Sequence, residues 1–287
     1  PLLAVSRGEA WFGSWEGIAW HFVHGTLAPS DVSRGAASTI RTIARTRDGS
    51  VWIGHDADLT IVRPSGAPVE VAVDAVSIAP RADGSAWLLG SDGAVLIGAL
   101  APSGTVVRGV ARPPFDWGAR MVADRDGSAW ALGGSVSGPG LLVVHLVSGH
   151  WSVVPAPAGA AIVMIAGDPD GGIWGLASRP DGILLVRDQG RGWRSMGGVP
   201  MVGATDLAVG PRGIVWISGG SLVRTDGAGR WETIAGSGAE AISPIEAPVG
   251  VRGFAPSPTR RFSAPSVAPD GTLYVACPSG ICRLAGL

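Results

Sequence analysis

The segment Asp48-Gly49-Ser50-Val51-Trp52 joins a tight-turn dipeptide to a short apolar stretch that carries one large aromatic residue. Asp-Gly is favoured in two-residue hairpin turns because glycine adopts positive φ without steric cost. The same pattern, a glycine followed three residues later by an aromatic residue, returns along the whole chain. Its aromatic positions, called here the anchor residues, are Trp11, Trp52, Trp87, Trp130, Trp174, Trp216 and Tyr274. Their spacing of roughly forty residues indicates an internal repeat.

Each repeat has the pattern of four short strands. An apolar run precedes the turn, the strand with the anchor residue follows it, and further runs come after glycine-containing turns, as at 182–187 and 193–195. No segment has sustained helical periodicity. Four strands in a repeat of this length are typical of a β-propeller blade. We therefore predict an all-β fold: a seven-bladed β-propeller of four-stranded antiparallel blades that forms one domain over residues 1–287.

The anchor residues have a structural explanation in this fold. A single blade cannot bury both faces of its sheet, whereas a neighbouring blade stacked on each face can do so. A large aromatic ring buries roughly 150–250 Å². We therefore expect the anchor residues to be buried between blades, and not to form a surface that stacks on sugars or nucleobases.

The last repeat differs from the others. The interval between Trp216 and Tyr274 is the longest, and we assign its extra residues to an insertion at about 237–262 that is rich in Pro, Gly and Arg. The chain also ends soon after the third strand of the seventh blade. Two interpretations stay open: this blade has three strands, or residues upstream of Pro1 in a longer protein supply its outer strand.

Composition limits the classes of partner. The chain carries 22 basic and 23 acidic residues, a net charge of −1, and 46% of its residues are hydrophobic. Nucleic acid and anionic lipid require clustered positive charge, so balanced charge argues against both partners. No apolar run approaches the roughly 18–20 residues that span a bilayer, so no membrane insertion is expected. We expect a monomer or a part of a longer receptor.

The two cysteines, Cys277 and Cys282, flank a short Pro-Ser-Gly turn. One interpretation is a disulfide across a hairpin, which favours an exported protein. The other is a pair of buried free thiols in the last strands. A metal site is not expected here, because no further ligands lie nearby in the sequence.

The segment 48–54, Asp-Gly-Ser-Val-Trp-Ile-Gly, resembles the repeat of the two-component regulator propellers, which form extracytoplasmic sensor regions of bacterial hybrid histidine kinases. The chain is also similar to the virginiamycin B lyase-like propellers, a seven-bladed group that includes an antibiotic-opening enzyme. The final unit, 266–275, resembles an NHL repeat. These resemblances imply a bacterial protein that is periplasmic or secreted. They say little about activity, since one fold hosts many functions. The lyase's catalytic His and Glu pattern has no convincing counterpart here.

The site is expected on one rim of the ring. The Asp-Gly turns join the first and second strands of each blade and therefore share a rim. The opposite rim, called here the distal rim, holds the loops between second and third strands and between blades. Propellers usually bind ligands there, an expectation that rests on analogy. Its candidate ligand-binding residues are Trp15, Glu16, His55, Asp56, Asp58, Phe115, Asp116, Trp117, Arg120, Arg179, Asp181 and Arg260.

These residue types suit a polar organic ligand or a peptide, because rings supply apolar area and Arg binds carboxylates. Structural roles are the alternatives. Trp15 packs beneath its own hairpin, or Trp117 fills the space between two blades. In the same alternative, Glu16, Asp116 and Asp181 are ordinary solvated turn residues and Arg260 is a solvated loop charge.

A divalent cation is the one cofactor considered. His55, Asp56 and Asp58 form the best metal-like cluster, with ligands suited to Ca²⁺ or Zn²⁺. A polar hairpin turn is the favoured interpretation, so no cofactor is expected. His21 and His24 lie three apart on one strand and face opposite sides.

Three classes of function remain. The first is a non-catalytic sensor or recognition module for a small molecule, glycan or protein, favoured because no nucleophile elbow, P-loop or dinucleotide motif is present. The second is an enzyme with its site at the channel mouth, a lyase or a lactonase/hydrolase that uses His55 or Asp56 with a metal. The third is a structural scaffold.

Overall fold

The computed structural model describes residues 1–14, 16–30, 32, 38–101, 104–136, 138, 140–201, 203–235, 243–245, 262–277 and 280–284. These residues form seven sheets of four antiparallel strands. The predicted all-β fold of seven blades is confirmed, and the described residues contain no helix. None of them therefore forms a helical membrane span.

Blade 1 contains β1 (Leu2–Ser6), β2 (Glu9–Gly13), β3 (Ala19–Val23) and β4 (Thr26–Pro29). Blade 2 contains β5 (Ile40–Arg45), β6 (Val51–His55), β7 (Leu59–Val62) and β8 (Val69–Val71). Blade 3 contains β9 (Ser77–Pro80), β10 (Ala86–Leu89), β11 (Val95–Ala101) and β12 (Gly104–Gly109). Blade 4 contains β13 (Trp117–Ala123), β14 (Ala129–Gly134), β15 (Leu141–Val147) and β16 (His150–Val154). Blade 5 contains β17 (Ala161–Gly167), β18 (Ile173–Arg179), β19 (Gly182–Asp188) and β20 (Arg194–Gly198). Blade 6 contains β21 (Asp206–Val209), β22 (Val215–Ser218), β23 (Leu222–Thr225) and β24 (Trp231–Ala235). Blade 7 contains β25 (Ser243–Ile245), β26 (Ser263–Val267), β27 (Leu273–Cys277) and β28 (Gly280–Leu284).

In blades 1 to 6 the strands pair in chain order, and the first strand of each blade lines a central channel. The Asp-Gly turns connect first and second strands, as predicted. In blade 2, Gly49 has a φ of 87°, and the Asp48 carboxylate accepts hydrogen bonds from the Ser50 N–H (3.1 Å) and the Thr46 hydroxyl (2.6 Å). The same bond from the N–H two residues later is accepted by Asp83, Asp126 and Asp270, so a local side-chain contact fixes the turn in four of the blades.

The seventh blade takes its outer strand from the insertion. The C-terminal segment supplies three strands, β26 to β28. The edge of β28 pairs with β25, whose Ser243 and Ile245 lie opposite Arg283 and Ile281. The long interval between the sixth and seventh anchor residues thus supplies the fourth strand, a source that the sequence did not indicate. Most of the insertion lies outside the described residues.

Cys277 of β27 and Cys282 of β28 form a disulfide, with a Cα–Cα separation of 5.9 Å. The first of the two interpretations of the cysteines is therefore the one that the structure supports. The bond joins two paired strands across their hairpin, and both residues are buried against Trp216 of blade 6.

Each anchor residue is buried in an interface between two blades. All seven are at most 5% exposed. Trp52 of blade 2 packs with Ile78 and Leu88 of blade 3, and Trp216 of blade 6 packs with Leu273 of blade 7. The described residues form seven core clusters of this kind, each with one anchor residue. The prediction that the anchor residues are buried between neighbouring blades is confirmed.

In five blades a basic or imidazole side chain of the third strand lies opposite the anchor residue. His21 stacks on Trp11 with ring centroids 4.0 Å apart, and His145 stacks on Trp130 at 3.7 Å. Arg187 lies above Trp174 at 5.0 Å, Arg224 lies above Trp216 at 5.6 Å, and Arg283 pairs opposite Tyr274. The five residues opposite the anchors in the strand register are His21, His145, Arg187, Arg224 and Arg283. Such cross-strand stacking and cation–π contacts give His21 and His145 structural roles.

The ring closes between blades 7 and 1 through polar contacts as well as a core cluster. The Tyr274 hydroxyl lies 2.8 Å from the Arg7 carbonyl oxygen, to which it can donate, and the Arg7 N–H donates to Asp270 (2.6 Å). The Ala4 N–H donates to the Ser266 hydroxyl at 2.9 Å, which ties the innermost strands together.

A substitution at Gly98 tests the packing of Trp52 between blades 2 and 3. A Cβ at this position of blade 3 would lie 2.8 Å from Cζ3 of Trp52. We expect Gly98→Ala to lower the free energy of unfolding by about 1–3 kcal/mol, because the fully buried ring cannot move away. Gly109→Ala, in the outermost strand of the same blade, meets no atom within 4 Å and is the matched control. Urea unfolding of both variants measures the effect. Equal stabilities of the two variants would contradict the close packing of Trp52 against Gly98.

His145 predicts a pH dependence of stability. Burial lowers the pKa of His145, although Asp124, Asp126 and Asp188 oppose the shift. The unfolded chain therefore takes up this proton at higher pH than the folded chain, and stability falls as pH drops through about 6.5. We expect His145→Phe, which keeps the stacking on Trp130, to lose less melting temperature between about pH 7.5 and pH 5 than the parent protein. His150→Gln, at an exposed turn, should lose as much as the parent. An unchanged loss in His145→Phe would show that this imidazole is not responsible.

Candidate functional site

The innermost strands of all seven blades enclose a channel of about 570 Å³. Each of these strands enters from the distal rim, because the Asp-Gly turns lie at its other end. Most of the lining is small or aliphatic. The charged residues among the described lining are Arg41, Arg45, Arg120 and Asp206.

Arg120 and Asp206 bridge two blades that are not neighbours. Nη1 of Arg120, in blade 4, lies 3.2 Å from Oδ1 of Asp206, in blade 6, and 3.6 Å from the Met164 sulfur of the blade between them. The Asp206 oxygen also accepts the Leu207 N–H at 2.8 Å. The two side chains are 36% and 19% exposed, so the pair lies at the channel surface without being freely solvated.

Arg41 forms a second ion pair at the distal rim. Its Nε donates to Oδ1 of Asp56 at 2.7 Å, and Oδ2 of Asp56 accepts the Thr39 N–H at 3.0 Å. The hydrogen bond from Arg41, followed by that from Thr39, holds the pKa of Asp56 below its usual value. Asp56 therefore remains a carboxylate whose role in the structure is to orient Arg41.

A β-bulge sets the orientation of Trp117 and Arg120. Trp117 pairs with Gly134 and Arg120 pairs with Leu132, while Ala119 between them has no partner. Because the two partner residues are two apart, Trp117 and Arg120 lie on the same face of the sheet, although regular alternation would place them on opposite faces. The bulge thus brings an aromatic ring and a guanidinium together at the start of β13.

Two glycines decide how the neighbouring aromatic residues are placed. A Cβ on Gly134 would lie 2.3 Å from the Trp117 ring, and a Cβ on Gly133 would lie 2.6 Å from the Phe115 ring. Trp117 rests on Gly134 and remains 42% exposed, so it does not fill the space between blades. Phe115 is 3% exposed and packs in the core cluster of Trp87. The prediction of Phe115 as a rim residue is corrected, because the missing side chain of Gly133 makes room for its ring.

Asp116 lies between these aromatic residues and organises the adjacent turn. Its Oδ2 accepts the Ser135 hydroxyl at 2.8 Å and the Val136 N–H at 2.9 Å. The first of these bonds, aided by the second, lowers the pKa of Asp116. Val136 itself is 88% exposed beside this turn.

The metal-like cluster of blade 2 does not assemble. His55 is fully buried, and its Nε2 lies 3.3 Å from the Thr60 hydroxyl. Asp56 pairs with Arg41 instead of facing His55 and Asp58. Across the described residues, no three His, Cys, Asp or Glu side chains are grouped so as to hold a metal ion. The placement of His55 on the rim surface is corrected, because its side chain turns into the blade.

The other candidates lie away from the channel lining. Glu16 is exposed on its turn of blade 1, and Arg179 pairs with Asp181 at 3.1 Å on an exposed hairpin of blade 5. Trp15 and Arg260 lie outside the described residues. Arg41 and Asp206 were missed, because each stands in a strand without a turn or motif to mark it. The Gly133-Gly134 pair was the sequence signal that could have separated exposed Trp117 from buried Phe115.

Trp117 and Trp130 make a contrasting pair for mutation. We expect Trp117→Ala to change the free energy of unfolding by less than about 1 kcal/mol, since its ring is half in solvent. We expect Trp130→Ala, which removes a ring that is 2% exposed, to cost about 3–5 kcal/mol. Chemical denaturation followed by circular dichroism measures both. A comparable loss in Trp117→Ala would assign that ring a structural role.

Comparison with solved structures gives the same fold. A streptogramin B lyase structure superposes with a TM-score of 0.74 at 15% identity, over 99% of this chain and 92% of that chain. A catalytically inactive histidine-to-alanine variant of virginiamycin B lyase from Staphylococcus aureus, with quinupristin, gives 0.72 at 14%, over 99% and 94%. The extracellular domain of the putative hybrid two-component system BT4673 from B. thetaiotaomicron gives 0.67 at 12%, over 100% of this chain and 38% of that chain.

No family model and no curated protein matches the sequence. The structural neighbours include members of both propeller groups that the repeat resembles, a lyase and the extracellular domain of a two-component system. At these identities the similarity establishes a seven-bladed propeller, whose neighbours include enzymes and a sensor-like extracellular domain.

Proposed function

We propose that this chain is a non-catalytic recognition propeller that binds its ligand at the channel mouth on the distal rim. The observation that carries the proposal is the pairing of Trp117 with Arg120 on one face of β13. An exposed indole offers apolar contact area, and a guanidinium at its side offers charge-assisted hydrogen bonds. A ligand with an apolar part and a polar group, such as a small organic molecule or a peptide terminus, suits both.

The histidines support binding over catalysis. All five histidines of the chain lie among the described residues, and none lines the channel. His21 and His145 stack on anchor residues, and His55 is buried. His24 and His150 lie in the third-to-fourth-strand hairpins, at the rim of the Asp-Gly turns. The lyase variant in the comparison is inactive after loss of one histidine, and the proposed site offers no imidazole to take such a role.

The proposed location is periplasmic or secreted. Disulfides persist in oxidising compartments, and Cys277 and Cys282 form one. The BT4673 neighbour is itself an extracellular domain. Both points agree with the resemblance of the repeat to sensor propellers.

A binding screen tests the proposal. Thermal shift of the purified chain is measured against a defined panel: the twenty amino acids, a set of dipeptides, and common mono- and disaccharides. We expect at least one component to raise the melting temperature of the parent protein, and to have no such effect on Trp117→Ala. Arg230→Ala, an arginine 86% exposed on the outside of blade 6, is the control that should respond like the parent. A response that survives in Trp117→Ala, or none at all, would count against this site.

A turnover assay separates the enzymatic alternative. Quinupristin incubated with the chain is followed by mass spectrometry, with virginiamycin B lyase as the positive control. We expect no conversion, since no histidine is available in the channel. Conversion that disappears in Asp206→Asn would replace the binding proposal with a lyase.

A further inference from the structure

The channel carries an excess of positive charge that the whole chain does not. Three guanidinium groups but one carboxylate stand in the described lining, while the chain has a net charge of −1. Field lines from such groups concentrate in a cleft with low-dielectric walls, which raises the local concentration of ions of opposite sign. The lining therefore favours an anion.

The arginines at the distal mouth keep free donors. Arg120 uses only Nη1 for Asp206 and Met164, and within the described residues its Nε and Nη2 have no hydrogen-bond partner. Arg41 uses only Nε for Asp56, so both of its terminal nitrogens are likewise unpaired among those residues. Each guanidinium is held by one carboxylate and still offers two further N–H-bearing nitrogens. This arrangement reduces the ordering cost of binding a second oxyanion.

Both arginines lie at the same end of the channel. Arg41 is the second residue of β5 and is itself the unpaired residue of a β-bulge between Ile40 and Thr42. Arg120 follows the bulge at Ala119 in β13, and Asp206 opens β21. Bulges commonly re-aim side chains beside functional sites. Arg45 ends β5 at the other rim, where it approaches Gly49, and so does not belong to this group.

We infer that the distal mouth binds a small organic ligand through a compact oxyanion, a carboxylate or a phosphate, held by Arg120 and Arg41. The inference rests on the proposed function and adds the chemical class of the ligand. Trp117, on the same face as Arg120, contacts the organic part. Asp206 and Asp56 orient the two guanidinium groups, whose remaining nitrogens are left to donate to the oxyanion.

Calorimetric titration with citrate, inorganic phosphate and neutral glucose, at one fixed low ionic strength, tests the inference. We expect citrate or phosphate to bind with one site per chain, and glucose to give no comparable signal. The citrate and phosphate arms distinguish a carboxylate ligand from a phosphate ligand. Binding should weaken as sodium chloride is added, because the contacts are ionic.

We expect Arg120→Gln and Arg41→Gln each to weaken the affinity for the anion by about tenfold or more, the effect of losing a charge-assisted hydrogen bond. Arg230→Ala, which removes the same charge outside the channel, should bind like the parent. Circular dichroism and melting temperature confirm that each variant is folded.

A second measurement does not depend on the arginine variants. The fluorescence of Trp117 is the component that is lost in Trp117→Phe. Iodide should quench this component more strongly than neutral acrylamide does, because the anion accumulates near Arg120.

Two outcomes would overturn the inference: neither anion binds the folded parent protein, or the arginine variants and Arg230→Ala bind alike. The proposed function is judged separately. A neutral component of the thermal-shift panel whose effect depends on Trp117 would preserve recognition at this mouth while excluding an anionic ligand. Absence of both kinds of binding would end both proposals.

Discussion

The fold depends on one repeated contact, a buried aromatic ring between adjacent sheets. Each of the seven core clusters among the described residues joins one blade to the next and contains one anchor residue. The ring needs a partner surface without bulk, and Gly98 of blade 3 provides it for Trp52 of blade 2. A cation or imidazole from the third strand covers the other side of most of these rings. The packing contacts between blades are therefore distributed around the circle.

The blades were predictable from sequence because the forces that make them are local. Glycine at positive φ, the aspartate that caps the turn and the aromatic residue three positions later all act within a few residues, so they appear as a motif. The anchor residues followed from the same motif. The outer strand of blade 7 did not, since β25 pairs with a strand that comes later in the chain.

The site was less predictable because its members come together only when the ring closes. Arg120 and Asp206 belong to different blades, and no sequence pattern near either residue indicates that the two form an ion pair. Trp117 and Phe115 are two residues apart in one link, yet one is exposed and the other buried. Their difference is decided by Gly133 and Gly134, residues of another strand. His55 shows the same limit, because a turn position does not reveal which way a side chain faces.

The contacts between blades 7 and 1 have a mechanical consequence. Every other pair of adjacent blades is joined by the chain itself, whereas no peptide link within this chain crosses the junction of blades 7 and 1, called here the seam. The outer strand of blade 7, β25, comes from the segment before β26, so it does not interlock this blade with blade 1. The seam is held by Tyr274 and its cluster and by hydrogen bonds from Ala4 and Arg7. When the ring is strained, we therefore expect separation to begin at the junction of its first and last blades, while the other blades stay connected through the chain.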